Sequence, residues 1–199
     1  MRKIGLAALL LCVCASVAHA TTTTETIVFF RHGEKPSGGY GQLTCQGLNR
    51  AINLYDALIP RYGKPAYLFA PSPTPKIADS AGSYYYVRPL ATIEPMAVRL
   101  GLPVNAHYGY ADVTSLTNAL TSSSYSNAKV FVAWEHAYLV KAVQMILNKY
   151  NAGVTAPAWT SGDYDSLYVV TLVNVNGSVS ATFRKDFEGL NNQSTTCPR

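Results

Sequence analysis

IVFFRHGEKP, residues 27–36, is the stretch on which the reading of this chain turns. With Thr26 it opens as Thr-Ile-Val-Phe-Phe, an unbroken β-branched and aromatic run. A run of that kind, with no polar alternation, is the pattern of a strand buried on both faces. It ends at once in Arg31, His32 and Gly33. Polar and charged groups at the lip of an apolar core are costly unless they are paired or meet a charged ligand. The stretch therefore predicts both a core strand and a site at its end.

Working outward, a Gly-rich turn over 37–41 precedes Thr44, which can cap a helix with apolar positions Leu48, Ala51, Ile52, Tyr55, Leu58 and Ile59, stopped by Pro60 and Gly63. A short strand over 66–70 runs into Pro71-Ser72-Pro73-Thr74-Pro75, which reads as a loop. A helix is expected from Arg88, with Pro89 tolerated in its first turn and Gly101 at its end, while Pro95 would kink it or delay its start. Residues 129–134 read as another buried strand, and Leu139, Ala142, Val143, Ile146, Leu147 and Tyr150 follow at helical spacing. Extended runs over 166–175 and 178–184 flank Asn176-Gly177, a strong hairpin signal. Strand and helix alternating, then a hairpin, predict an α/β fold: three layers, a mainly parallel sheet flanked by helices, and a C-terminal antiparallel hairpin.

The first twenty residues read as an address. Arg2 and Lys3 precede an apolar core over 4–17, and Ala18-His19-Ala20 supplies small residues around a cleavage point, so residues 1–20 are expected to be a signal peptide and the mature chain periplasmic or secreted. Cys12 and Cys14 lack the small preceding residues that lipid attachment favours. What remains, 21–199, has the length of a single domain. Its basic count falls from 16 to 14 against 11 acidic residues, a net of +3 with no basic run, which argues against nucleic-acid binding and against stable membrane insertion. Of the four cysteines only Cys45 and Cys197 survive cleavage; an exported compartment permits a bridge between them, and two free thiols are the alternative.

In open α/β sheets, ligands bind beyond the carboxyl ends of the strands. Arg31 and His32 follow the first strand, and Glu135 and His136 follow the strand ending at Trp134. One histidine at a strand end is commonly a hydrogen-bonded structural residue. Two, each beside a charged residue, point to a shared site.

Arg31-His32-Gly33-Glu34-Lys35-Pro36, with Leu43-Thr44-Cys45-Gln46-Gly47 and Ala51, resembles the histidine phosphatase superfamily, whose members open with Arg-His-Gly after the first strand and continue with a Leu-Thr-x-x-Gly helix start. The resemblance extends from about Ile27 to Tyr150 and implies the phosphoglycerate mutase-like fold. It implies His32 as nucleophile, Arg31 and Arg88 as phosphate-gripping cations, and His136 as a donor to the same oxygens, with no metal and no cofactor. The acid that protonates the leaving group is open: Glu135 stands immediately before His136, where the acid-phosphatase branch has an acid immediately after its second histidine and this chain has Ala137. Glu94 and Asp112 are rivals. Lys35 could add a further contact. Gly33 would let the backbone approach the phosphate, whereas Arg50 and Arg99 read as surface residues of amphipathic helices. Tyr84, Tyr85, Tyr86, Tyr108 and Tyr110 could rim a pocket or cover core.

The function expected from this is metal-independent hydrolysis of a phosphorylated small-molecule or envelope substrate. A catalytically weak phosphate-binding module, a phosphomutase and a structural envelope protein are the alternatives; natural substrate and oligomeric state stay open.

Overall fold

Ile27, Val28, Phe29 and Phe30 are all fully buried, as their unbroken apolar run requires. Each such side chain removed from water contributes about 2 kcal/mol. The computed structural model of the protein describes residues 21–199, so the leader expected over 1–20 lies outside the described residues. Its elements in chain order are β1 (Thr22–Arg31), α1 (Cys45–Tyr62), β2 (Tyr67–Phe69), β3 (Lys76–Asp79), β4 (Gly82–Tyr85), α2 (Arg88–Leu100), β5 (Val104–Asn105), α3 (Val113–Leu120), β6 (Lys129–Trp134), α4 (His136–Lys149), β7 (Ser166–Val175) and β8 (Ser178–Phe187).

One six-stranded sheet runs β5-β2-β6-β1-β7-β8, parallel from β5 to β1 and antiparallel across β1-β7-β8. Alternate residues of β1 serve opposite cores. Ile27 and Phe29 pack with Leu116, Trp134, Leu139 and Val143 on the side of α3 and α4. Val28 and Phe30 pack with Leu54, Leu58, Ile93 and Met96 on the side of α1 and α2. These are the three layers expected. At the hairpin tip Asn176 (φ 52) and Gly177 (φ 91) both take positive φ, as a type I′ turn demands.

Thr44 does cap α1, its hydroxyl accepting from the Gly47 N–H at 3.1 Å. Pro60, expected to stop that helix, lies inside it; the helix runs on to Tyr62 and is capped by Gly63. Pro95 is likewise carried within α2, which starts at Arg88 as expected. A proline's forfeited backbone bond is tolerated where packing holds the helix, and Leu58 and Met96 beside them are fully buried. The β3-β4 hairpin, β5 and α3 were not anticipated. β3 and β4 form a separate two-stranded sheet with exposed and half-buried residues, so no apolar periodicity marks them.

Arg50 corrects a second expectation. It is fully buried rather than on the surface. Its Nε bonds both Glu34 oxygens at 3.1 Å, Nη2 reaches Glu34 Oε1 at 2.7 Å, and Nη1 reaches Glu188 Oε2 at 2.5 Å and Asp165 Oδ1 at 3.3 Å. Three carboxylates drawn from distant parts of the chain offset the cost of sinking the cation. Arg99, by contrast, is exposed and paired with Asp56 at 2.9 Å, as expected of a surface residue. Cys45 and Cys197 are bridged, fastening the C-terminal tail to the start of α1. Among the described residues no helix is long and apolar enough to cross a membrane.

Candidate active site

The parallel pairing of β1 with β6 places the two strand ends side by side, because its register sets Arg31 against Trp134. The His32 N–H continues the ladder to the Trp134 carbonyl at 3.2 Å. Residues 31–32 and 135–136 therefore emerge together, although about a hundred positions separate them. α4 begins at His136 and α2 at Arg88, so two helix N-termini, where backbone N–H groups favour negative charge, open beside the same strand ends.

His32 is 2% exposed. Its Nδ1 lies 2.7 Å from the Gly33 carbonyl oxygen, which can only accept, so the proton sits on Nδ1 and the lone pair on Nε2. Burial, then the charge of Arg31, and after these the charges of Arg88 and His136, push its pKa well below 6.5, against the hydrogen bond to Gly33. The ring is thus neutral, oriented and nucleophilic at one nitrogen. Gly33 is itself fastened through its N–H to Thr92 Oγ1 at 2.9 Å, and that hydroxyl donates to the Arg88 carbonyl at 2.8 Å. The close approach at Gly33 is to α1: a Cβ there would lie 2.7 Å from the Gly47 carbonyl oxygen.

Arg31 is nearly inaccessible. Nη1 donates to the carbonyls of Ser161 at 2.6 Å and Asp163 at 2.9 Å, and the guanidinium lies 4.0 Å from the Tyr164 ring centroid. Burial lowers its pKa, but a guanidinium keeps its charge regardless. Arg88 is equally buried and is held by Asp79 of β3, through Nη1 at 2.7 Å and Nη2 at 3.2 Å. Tyr86 stacks against it, with 4.8 Å from Cζ to the ring centroid.

Glu135 caps α4, accepting from the Tyr138 N–H at 2.9 Å, and its Oε1 lies 2.6 Å from His136 Nδ1. Burial alone would raise its pKa. The close contact and charge of His136, together with the hydrogen bonds from Tyr138 and Ala137, outweigh burial and hold the carboxyl below its usual range. The Asp112 side chain is exposed and caps α3 through the Ser115 N–H, and Glu94 is exposed on α2. Lys35 lies 3.5 Å from Asp79. Among the tyrosines, Tyr86 is fully buried, Tyr85 is exposed, and Tyr84, Tyr108 and Tyr110 are half-buried.

The structure thus gathers Arg31, His32, Arg88, Glu135 and His136, and adds Tyr86, Tyr164, Thr92 and Asp79. Sequence reasoning passed over Tyr164, Thr92 and Asp79. Tyr164 and Asp79 lie in polar stretches with no periodic signal, and Thr92 reads as an ordinary helix residue.

Seven buried side-chain polar atoms among the described residues make no hydrogen bond, and three of them, Arg31 Nε, Tyr86 Oη and Arg88 Nε, belong to groups around His32. A fourth, His136 Nδ1, meets the Glu135 carboxylate only off line. Uncommitted donors gathered beside a neutral imidazole, with two buried guanidiniums, have the chemistry that holding a small oxyanion requires. Among the described residues no group of three His, Cys, Asp or Glu is arranged to hold a metal ion.

No protein-family model matches the sequence, and no curated protein is significantly similar to it. Solved structures do share its architecture. Mycobacterial glucosyl-3-phosphoglycerate phosphatase Rv2419c, in complex with inorganic phosphate, superposes with a TM-score of 0.52 at 13% identity, covering 80% of this chain and 95% of that one. The phosphohistidine phosphatase-like SixA of Nakamurella multipartita superposes with a TM-score of 0.50 at 14% identity, covering 81% of this chain and 94% of that one. The chain has the phosphoglycerate mutase-like fold that these structures share.

Proposed function

We propose that this protein is an exported histidine phosphatase that hydrolyses phosphate monoesters through a phosphohistidine on His32, with no metal taking part. The observation that carries the reading is the state of His32: neutral, its proton locked toward the Gly33 carbonyl, its free nitrogen among buried cationic donors.

In the first step the Nε2 lone pair attacks phosphorus, the Nε2–P bond forms, and the P–O bond to the leaving alcohol breaks. In the second step water attacks phosphorus, Nε2 leaves, and inorganic phosphate departs. Arg31, Arg88 and His136 hold the phosphoryl oxygens as charge shifts among them. Glu135 is the carboxylate nearest His136. Held ionised, it suits taking a proton from the attacking water better than giving one to the leaving alcohol. Turnover should therefore favour substrates whose leaving group departs as a stable anion. The two neighbours are named for different substrates, so the class proposed here is the phosphate monoester, carried on a small molecule or an envelope component.

A generic aryl phosphate assayed with chelator present tests the reading. The wild-type protein should turn it over and form an acid-labile phosphoenzyme, and His32→Ala should do neither. Full activity in His32→Ala would end the assignment. One observation favours a second reading, a weak phosphate-binding module: Asp79 already occupies both terminal nitrogens of Arg88. That reading predicts phosphate binding with no turnover.

A further inference from the structure

Tyr86 is fully buried two residues before Arg88, and its hydroxyl makes no hydrogen bond. A hydroxyl in that condition is a standing cost, and a phenylalanine would fill the same space without it. The ring has clear packing partners: it meets the His32 ring edge-to-face at 5.9 Å, meets Tyr110 edge-to-face at 5.3 Å, and lies under the Arg88 guanidinium. Packing explains the ring and leaves the oxygen unexplained.

The surroundings of that oxygen are those of the candidate site. The charges of Arg88, Glu135 and Arg31 all bear on it, and the Arg88 guanidinium comes within reach of its oxygen, but its proton has no acceptor. Burial pushes its pKa far up, so the phenol keeps its proton at any physiological pH and is a donor rather than an acid. An oxyanion bound between His32 and Arg88 would lie beside Tyr86, because its ring packs against both.

We propose that Tyr86 is a further catalytic residue, donating its hydroxyl to a non-bridging phosphoryl oxygen of a substrate seated between His32 and Arg88. The inference rests on the phosphatase reading above. The proton stays on tyrosine throughout: the O–H shortens onto the oxygen that gains charge in the in-line displacement and relaxes when phosphate leaves. A hydrogen bond to an ionised oxygen, absent in the free protein and strongest in the transition state, contributes to kcat more than to KM.

Tyr86→Phe tests this, because it keeps the ring and removes only the oxygen. The variant should fold with an unchanged or higher Tm, since no protein hydrogen bond is lost. Its affinity for vanadate, which copies the five-coordinate transition state, should fall about 10- to 100-fold, and kcat on an aryl phosphate should fall comparably with little change in KM. A folded Tyr86→Phe protein within about twofold of wild type in both would overturn the role of Tyr86 while leaving the phosphatase reading intact. A clear drop in Tm would overturn it too, by showing that the hydroxyl has a structural partner. Wild-type protein that neither binds vanadate nor turns over substrate would defeat both inferences together.

Discussion

Replacing Arg50 by methionine, which keeps most of the side-chain volume and removes the charge, is the sharpest test of how this fold holds the segment that follows β1. In the wild type one buried guanidinium faces Glu34, Asp165 and Glu188. Burial raises the Glu188 carboxyl to about 8 despite the attraction of Arg50, with Asp165 and Glu34 adding to the rise, so the cluster leans on its one cation. Burial works against the Arg50 charge as well, but the hydrogen bond to Glu34 and the charges of Glu188 and Glu34 outweigh it. Without Arg50, Glu34, Asp165 and Glu188 are left with that cation gone from among them. Removing one partner of a buried ion pair costs about 3 to 5 kcal/mol, a large part of the roughly 5 to 15 kcal/mol that holds a domain together. Urea unfolding with the disulfide intact, followed by the fluorescence of buried Trp134 and Trp159, measures the loss. The deficit should be larger at pH 8 than at pH 5. Carboxylates stripped of their cation bind protons more readily in the folded state than in the unfolded chain, so the variant's stability falls as pH rises. Adding Glu188→Gln to Arg50→Met should restore part of it. A deficit below about 1 kcal/mol at pH 8, or one independent of pH, would refute the reasoning.

Gly47→Ala should destabilise the protein and depress any phosphatase activity. Its Cβ would lie 2.5 Å from the Glu34 carbonyl oxygen and 2.8 Å from the Glu34 nitrogen, both backbone atoms that cannot step aside cheaply; wild-type activity and Tm in the variant would count against this. Opening the Cys45–Cys197 bridge, which spans 152 residues, should cost up to about 5 kcal/mol in the chain-entropy model, read as a drop in Tm on adding reductant. Glu25 is buried beside a cavity of about 180 Å³ with one oxygen unpartnered, and burial raises its pKa from 4.5 to about 8. Between those values the folded state holds a proton that the unfolded chain has released. Wild-type stability therefore falls as pH rises from about 4.5 to 8, and Glu25→Gln should gain on wild type across that window. At about 1.4 kcal/mol per pH unit the ceiling is near 5 kcal/mol, reduced by solvent reaching the cavity; parallel pH profiles of the two proteins would dismiss the idea.

What local pattern encodes was legible in the sequence. Residues 26–30 had to be a doubly buried strand because no polar residue interrupts them, Thr44 had to cap because its hydroxyl answers an N–H three residues on, and Asn176-Gly177 had to turn because both residues tolerate positive φ. Arg31 and His32 stood out for the same reason: they are out of place beside such a strand. The pairing of residues 31–32 with 135–136 was suggested by their matching places after buried strands and strengthened by the family resemblance, but its geometry depends on which parallel strand sits beside β1 and in what register.

The rest belongs to tertiary structure, because a charged side chain's environment is set by residues far along the chain. Arg50 keeps the helical spacing of a surface position, yet Asp165 and Glu188, 115 and 138 residues away, make a buried site for it. Asp79 sits in a polar hairpin with no periodicity and becomes the partner of Arg88 only when that hairpin folds onto the start of α2. Tyr86 could be read as rim or as core. Composition favours each alike, and only the arrangement of His32, Arg88 and Tyr110 around it left its ring packed and its hydroxyl without a partner.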